Sequence, residues 1–466
     1  LIVNRFFGGA QIPTGRMAQD VAVKLAEAGH EVIALASSGE YDGTACSAAG
    51  IRQAAYGKGT EEGKVPGLMR VETVRVPMWM PRALAWVWFT WQARKRIPQM
   101  DWDVCVLMTD PPLLPLLATR AKTAGIRHAA DGVRGERGTA GARRVAVWLM
   151  DLYPEALAAS GRVRRRNPVY RWYWTKRQRA LESCDLVICL GEAQKEQLQV
   201  DQGTMGPHDH GTRMRGESSV GVGRFFGRAV GTETPAPPGT VGVRTVVVPP
   251  WDDRGNLEPA TEASLQDLAL YAGNLGEAHT FQEVLAAAEH LPPDWTIRFA
   301  ARGAKVGALK AAASGRRQPA CDIRDEADLS TQSGDTRHRD LELKAAGAVV
   351  HISGYASEEE TPGLLASAKV HLITMGPGWE GVVVPSKLYG CLQTGRPVLF
   401  IGPERSDTAR EILRNNWGEV LPPGATGGKV AAAILELAAT PTKEVELPCG
   451  AAKVTGELVQ LAGGDG

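Results

Sequence analysis

Residues 378–403 read GWEGVVVPSKLYGCLQTGRPVLFIGP: an apolar run, then Pro-Ser-Lys, a short helical pattern, Gly-Arg-Pro, and a second apolar run. Two strand-length apolar runs with a helix between them are the repeating unit of a parallel sheet covered on both faces. A helix beginning near Ser386 sets a favoured N-cap hydroxyl directly after Pro385, which fixes the direction of the chain. Lys387 then adds a full positive charge to the partial one carried by a helix start. Such a corner suits a pyrophosphate. Taken alone, it also fits an ordinary capped helix whose lysine points to water.

The alternation extends toward the amino end. Apolar runs at 268–273, 297–300, 349–352 and 370–374 precede the one at 398–401, with helical patterns between them. An earlier series lies at 1–3, 32–36, 104–108, 145–150, 186–190 and 246–248. In the first interval Met17, Val21, Leu25 and Ala28 share one helical face, and Gly29 is placed to end that helix. Two such series predict an α/β chain of two Rossmann-like domains facing across a cleft. The expected division is 1–250 and 266–430, followed by a helical segment and tail over 431–466, with the boundary between Pro249 and Leu265. Glycine-rich 201–243 and the polar, mixed-charge stretch 312–347 break the pattern and read as surface insertions. His208, Asp209 and His210 in the first of these read as a solvated loop, with metal ligation as the alternative.

The chain of 466 residues exceeds one ordinary hydrophobic core. Hydrophobic residues at 44% and charged ones at 23% are a globular composition, and a net charge of +1 gives no general attraction to nucleic acid. Seven cysteines without a C-x-x-C pair favour a reducing compartment and disfavour a disulfide framework or zinc site. No apolar run reaches the roughly 18 residues of a spanning helix, and the amino end lacks a secretory pattern. Because the chain opens inside an apolar run, Leu1-Ile2-Val3, a few residues are expected to precede it.

Strand ends in the second series carry further candidates. Gly273, Asn274 and Gly276 form a turn after one strand, where small residues let main-chain amides approach a ligand. Arg302, Gly303 and Lys305 follow the next. Three strand ends would then meet at one crevice, the usual ligand position in open parallel sheets. In the first series the loop containing Gly8, Gly9, Pro13, Thr14 and Gly15 lies between strand and helix. Asp151 stands at another strand end, either orienting a substrate hydroxyl or serving as a structural carboxylate, and Glu192 is a weaker candidate.

Five segments in order, IPTGRMAQDVAVKLAEAGHEV (12–32), DLYPEAL (151–157), YAGNLGEAHTF (271–281), ARGAKVGAL (301–309) and GWEGVVVPSKLYGCLQTGRPV (378–398), resemble the retaining family-4 glycosyltransferases of the GT-B fold. The likeness is strongest to the bacterial branch that builds polysaccharide and lipid-linked glycans. It implies a nucleotide-sugar donor held by the second domain, a lipid-linked or glycan acceptor bound by the first, and no metal or other cofactor. Carried over, Lys305 and Lys387 neutralise the diphosphate, while Ser386 and the amides after Pro385 bind phosphate oxygens. Gly273, Asn274 and Gly276 form the donor-side turn, Glu380 meets sugar or ribose hydroxyls, and Asp151 faces the acceptor. Two positions depart from the pattern: Gly390 stands where a second glutamate is usual, and Glu277 where arginine is frequent. A sugar-nucleotide epimerase of the same fold, a catalytically silent binding protein, and carboxylate-pair glycoside hydrolysis are the alternatives.

Finally, residues 78–97 hold Trp79, Trp86, Trp88, Phe89 and Trp91 beside Arg94, Lys95 and Arg96. Residues 162–179 add eight basic side chains with Tyr170, Trp172, Tyr173 and Trp174. Indoles beside cations suit a headgroup layer, so peripheral attachment to the cytoplasmic face of an anionic membrane is expected. The competing reading buries the tryptophans in the core. No recognition motif accompanies the basic run, so nucleic acid is not expected as a partner.

Overall fold

The computed structural model describes residues 1–8, 12–37, 69–77, 80–123, 143–203, 243–252, 261, 265–315, 340–344, 347–357, 359–447 and 449–463. The first sheet contains β1 (Ile2–Val3), β2 (Val32–Ser37), β3 (Met69–Val74), β4 (Val104–Met108), β5 (Arg144–Trp148), β6 (Leu186–Cys189) and β7 (Arg244–Val247). Its order is β3-β2-β1-β4-β5-β6-β7, with every pairing parallel. The second contains β8 (Gln266–Asn274), β9 (Thr296–Arg302), β10 (Leu341–Lys344), β11 (Val349–Ser353), β12 (Ala368–Thr374), β13 (Val398–Ile401) and β14 (Gly418–Leu421). Its order is β10-β11-β9-β8-β12-β13-β14, and only the added edge strand β10 runs antiparallel. Both are doubly wound sheets, each with its strand order reversing beside the first strand of its series.

The inner strands are apolar because helices cover both faces: β4, β6 and β13 are buried over nearly their whole length. Helix α1 (Pro13–Glu27) turns Met17, Ala18, Val21 and Ala22 into the first core. Pro13 stands in its first turn, where a missing N–H costs nothing. The stretch 431–466 is divided between the lobes. A helix at Gly427–Ala438 packs on the second lobe's core through Val430, Ala433 and Ile434. The last helix, Gly450–Gly463, returns to α1 and buries Val454 and Leu458 in the first.

Beyond the cores, an apolar cluster runs from Leu152 and Ala156 of the first lobe to Trp379 and Val382 of the second. Leu152 N also donates to Val382 O across the lobes at 2.9 Å. Burying one such side chain is worth about 1.5–3 kcal/mol, against about 0–1 kcal/mol for an exposed ion pair such as Arg410–Glu196. Apolar contact therefore dominates the lobe interface. Trp251, in the connection between lobes, stacks on Trp148 at 5.7 Å and donates to Asp20 Oδ2 at 2.7 Å.

Most of both expected insertions, with His208, Asp209 and His210, lies outside the described residues, as do Gly9 and Trp79. Within the stretch 312–347, β10 is a genuine strand.

Candidate active site

The lobes enclose a cleft of about 760 Å³ reached by the carboxyl ends of both sheets. Its second-lobe wall includes Gly273, Asn274 and Gly276 after β8, Arg302 and Gly303 after β9, Tyr355 after β11, and the segment 383–387. Its first-lobe wall includes Phe6, Pro13, Thr14, Arg82, Asp110 and Asp151.

Lys387 opens a six-residue helix, Lys387–Leu392. Its ammonium turns inward, donating to Tyr271 Oη at 2.6 Å and lying 4.0 Å from the Tyr271 ring centre. Tyr271 is buried and donates in turn to Asn274 O at 2.9 Å. A Cβ on Gly273 would sit 3.7 Å from the Lys387 ammonium, and its φ of +135° suits glycine, so the turn closes tightly over the lysine. Burial pushes the Lys387 pKa down to about 7, with a smaller opposing effect from Cys391. Ser386 is in the right-handed helical region and makes no side-chain cap bond; the residue lines the cleft.

Lys305 behaves differently. Its ammonium donates to Glu277 O and His279 O, each at 2.7 Å, and Lys305 is not among the cleft-lining residues. It braces the turn that follows β8. Burial lowers its pKa. His279 is held in the same turn: Thr374 O can only accept, so His279 Nδ1 donates to it at 2.6 Å and the ring is neutral, burial keeping its pKa well down. Glu277 pairs with Arg162 of the first lobe at 3.1 Å and so serves the lobe contact. Glu380 lies outside the cleft lining; its Oε2 is enclosed and has no hydrogen-bond partner within the described structure.

On the opposite wall, Thr109 Oγ1 accepts from Met150 N at 2.9 Å and so ties together the strand ends carrying Asp110 and Asp151. Asp151 opens to cleft water, yet the surrounding walls strip much of its hydration. Burial, then the neighbouring Asp110 charge, raises its pKa to about 6. Asp110 also rises to about 6 through burial, opposed by Arg5 and Arg82. Gly8 and Gly15 pack against one another: a Cβ on Gly15 would lie 2.6 Å from Gly8 O. Glu192 is exposed, 3.6 Å from Lys195, and lines a separate smaller hollow.

Asp110, Arg82, Tyr355 and Asp252 line the cleft although the sequence reading did not assign them there; Arg302, at an expected strand end, lines it as well. Asp110 carried the same signal as Asp151, an acidic residue just beyond an apolar run. Asp252 sits in the lobe connection and carried no signal.

No family model matches this sequence, and no curated protein matches it. Among solved structures the chain resembles a sucrose-phosphate synthase from Thermosynechococcus elongatus, with 11% identity, a TM-score of 0.54, and coverage of 99% of this chain and 96% of that one. It resembles Anabaena HepE in complex with UDP-glucose, at 12% identity, TM-score 0.50 and coverage of 99% and 96%. An α,α-trehalose-phosphate synthase (UDP-forming) from Burkholderia xenovorans in complex with glucose-6-phosphate is similar at 12% identity and TM-score 0.50, covering 99% and 95%. With two doubly wound sheets meeting at this cleft, the chain has the GT-B fold.

Proposed function

We propose that this chain is a retaining glycosyltransferase that moves a hexosyl group from a nucleotide-sugar donor to a lipid-linked or polysaccharide acceptor. The observation that carries the reading is the inward-facing Lys387 ammonium beside Gly273, Asn274 and Ser386 at the cleft. Departure of a nucleoside diphosphate builds negative charge on its terminal oxygens. A cation already stripped of water offsets that charge at little reorganisation cost. Ser386 donates to a phosphate oxygen, and Lys305 keeps the turn in shape from behind. No metal is needed for this step.

Asp110 and Asp151 face the donor from the other lobe and accept hydrogen bonds from an acceptor hydroxyl. In retaining chemistry the departing phosphate itself takes the acceptor's proton, so Asp151 orients rather than deprotonates. A lipid-linked acceptor calls for a bilayer nearby. Exposed Leu84, Val87, Trp91, Val169 and Trp172 beside arginines and lysines supply a contact for its cytoplasmic face. Among the described residues, no helix is long and apolar enough to cross a membrane.

Screening UDP-, GDP- and dTDP-sugars for thermal stabilisation tests the donor, since a ligand of the folded state raises the midpoint. The stabilising donor is then incubated with lipid-linked glycan acceptors and the product's anomeric configuration read by NMR. Transfer with retention is expected. Acceptor-free isomerisation would mean an epimerase, and binding without turnover a silent protein.

A further inference from the structure

Strand β5 ends at Trp148, and the bond from Leu149 N to Ile188 O, at 2.9 Å, carries its ladder one residue further. Met150 is gripped by two side chains instead. Thr109 Oγ1, just beyond β4, accepts from its N–H at 2.9 Å, and Gln194 Nε2 donates to its carbonyl at 3.0 Å. Asp151 follows directly, so the direction in which this cleft carboxylate leaves the strand is set by what holds Met150.

Gln194 lies in the first turn of the helix Glu192–Gly203 and is fully buried. Both ends of its amide are used, because Oε1 accepts from Leu190 N at 2.7 Å while Nε2 holds Met150 O. An N–H can only donate and a carbonyl only accept, which fixes the amide's orientation. The side chain thus joins the ends of β5 and β6. The main chain of the same residue meets the other lobe. Asp407 Oδ2 accepts from Gln194 N at 3.3 Å, and Oδ1 from Ala193 N at 2.7 Å. The turn carrying Gly381 also comes close, since a Cβ there would lie 2.6 Å from Ala193 O, and the next residue, Val382, accepts from Leu152 N. The second lobe therefore touches both the residue that grips Met150 and the residue that follows Asp151.

We infer that Gln194 is a positioning residue for Asp151: it fixes that carboxylate in the cleft through Met150, and its bond to Asp407 makes the placement depend on the docking of the second lobe. The consequence for sugar transfer rests on the glycosyltransferase reading; the placement does not. The ionisable groups about Asp151 are Asp110, with Arg5 and Arg82 beside it, and the Tyr153 hydroxyl, with Arg82 and Arg162 beside it. A strand end freed from Gln194 admits water to Asp151 and loosens its approach to Asp110, and both effects lower its pKa.

Carbon-13 NMR of the full chain with labelled aspartate carboxyls, Asp151 being assigned from the signal lost in Asp151→Asn, reads this placement without any ligand. Gln194→Met removes both side-chain bonds at similar volume, and Asp151 should then titrate about one pH unit lower than in wild type, where burial and Asp110 hold it at about 6. Gln194→Glu keeps an acceptor for Leu190 N and, protonated by its burial, donates to Met150 O, so Asp151 should titrate there as in wild type. Asp407→Asn, a change in the other lobe, should move Asp151 in the same direction as Gln194→Met but less, and it decides the matter should the methionine variant not fold. A merely structural Gln194 would lower the unfolding midpoint of its variants and leave the Asp151 titration where it is, which overturns the inference. A shift in Gln194→Met with none in Asp407→Asn overturns the dependence on the second lobe. Turnover tests the reading separately: a wild-type chain that transfers no sugar from UDP-glucose or GDP-mannose, with the titration shifting as expected, removes the glycosyltransferase reading and leaves the placement standing.

Discussion

The Lys387 ammonium lies 2.6 Å from the Tyr271 hydroxyl, so the principal cation of the cleft rests against protein rather than in bulk water. That contact holds the charge beside Gly273 and Asn274 at the end of β8, on the second-lobe wall of the cleft.

Replacing Lys387 with alanine should weaken nucleotide-sugar binding by about 1.5–3 kcal/mol, the worth of a hydrogen bond to a charged group. The pH dependence follows from its pKa of about 7. Only the protonated form attracts phosphate, so affinity should fall as pH rises from 6 to 9 in wild type and lose that component in Lys387→Met. In the free chain the unfolded state binds more protons between about 7 and the ordinary 10.5, so this lysine's cost to stability shrinks as pH rises through that window. Calorimetry across pH checks the first, and unfolding midpoints the second.

Gly390→Glu places a bulky second carboxylate against Asp252. Overpacking and like charge should together destabilise the fold by about 1–3 kcal/mol, read as a lower denaturation midpoint. Adding Asp252→Ala should recover part of the loss, giving a coupling energy of at least 0.5 kcal/mol in a double-mutant cycle.

The two sheets were legible because their inner strands are continuous apolar runs, as parallel strands covered on both faces must be. The sequence reading passed over β3, β10 and β14, which all lie at sheet edges, where half-exposed segments such as MRVETV and LELK carry weak patterns. The Gly273 turn could be placed at the cleft because it follows a strand, whereas Ser386 and Lys387 reach it from 381–385, an apolar run that is not a strand. The destination of a long side chain could not be: Lys305 has the same strand-end signal but turns back onto two carbonyls. Arg177, one of eight basic residues in 162–179, is instead buried against Glu155. Asp252 reaches the cleft through tertiary packing alone.

Asp110 and Asp151 titrate near 6 rather than 3.8. The folded chain therefore binds more protons than the unfolded one between about pH 4 and 6, and this pair makes the fold less stable as pH rises through that window. Asp151→Asn should raise the unfolding midpoint above pH 6 and leave it unchanged below 4. The same variant should keep donor affinity and lose transfer rate if Asp151 contacts the acceptor as proposed.

Asp407 of the second lobe accepts from Ala193 N at 2.7 Å and Gln194 N at 3.3 Å in the first. Asp407→Ala leaves these buried amides without that acceptor, at a cost of about 1–3 kcal/mol. The lobes should then sample more open arrangements, read as a larger radius of gyration in solution scattering. Arg410→Ala removes only a surface pair with Glu196 and should change the radius little.

Membrane attachment makes separate demands on two helices. In Arg82–Arg96, Ala85, Phe89 and Ala93 face the core while Leu84, Val87 and Trp91 face solvent at 57%, 54% and 41% exposure. In Pro168–Glu182, Trp172 is 56% exposed, with Arg171 and Lys176 also exposed. The burial of Phe89 and Tyr170 accounts for part of the aromatic content, so core packing explains some of these rings but not Trp91 or Trp172. Each cation near an anionic leaflet adds about 1 kcal/mol, an attraction that salt screens. The intact chain should therefore co-float with phosphatidylglycerol vesicles at low salt and less so at high salt. Trp91→Ser with Trp172→Ser should reduce flotation at both, because the apolar contribution is not screened. Failure of the wild-type chain to co-float at low salt removes the membrane from its working environment.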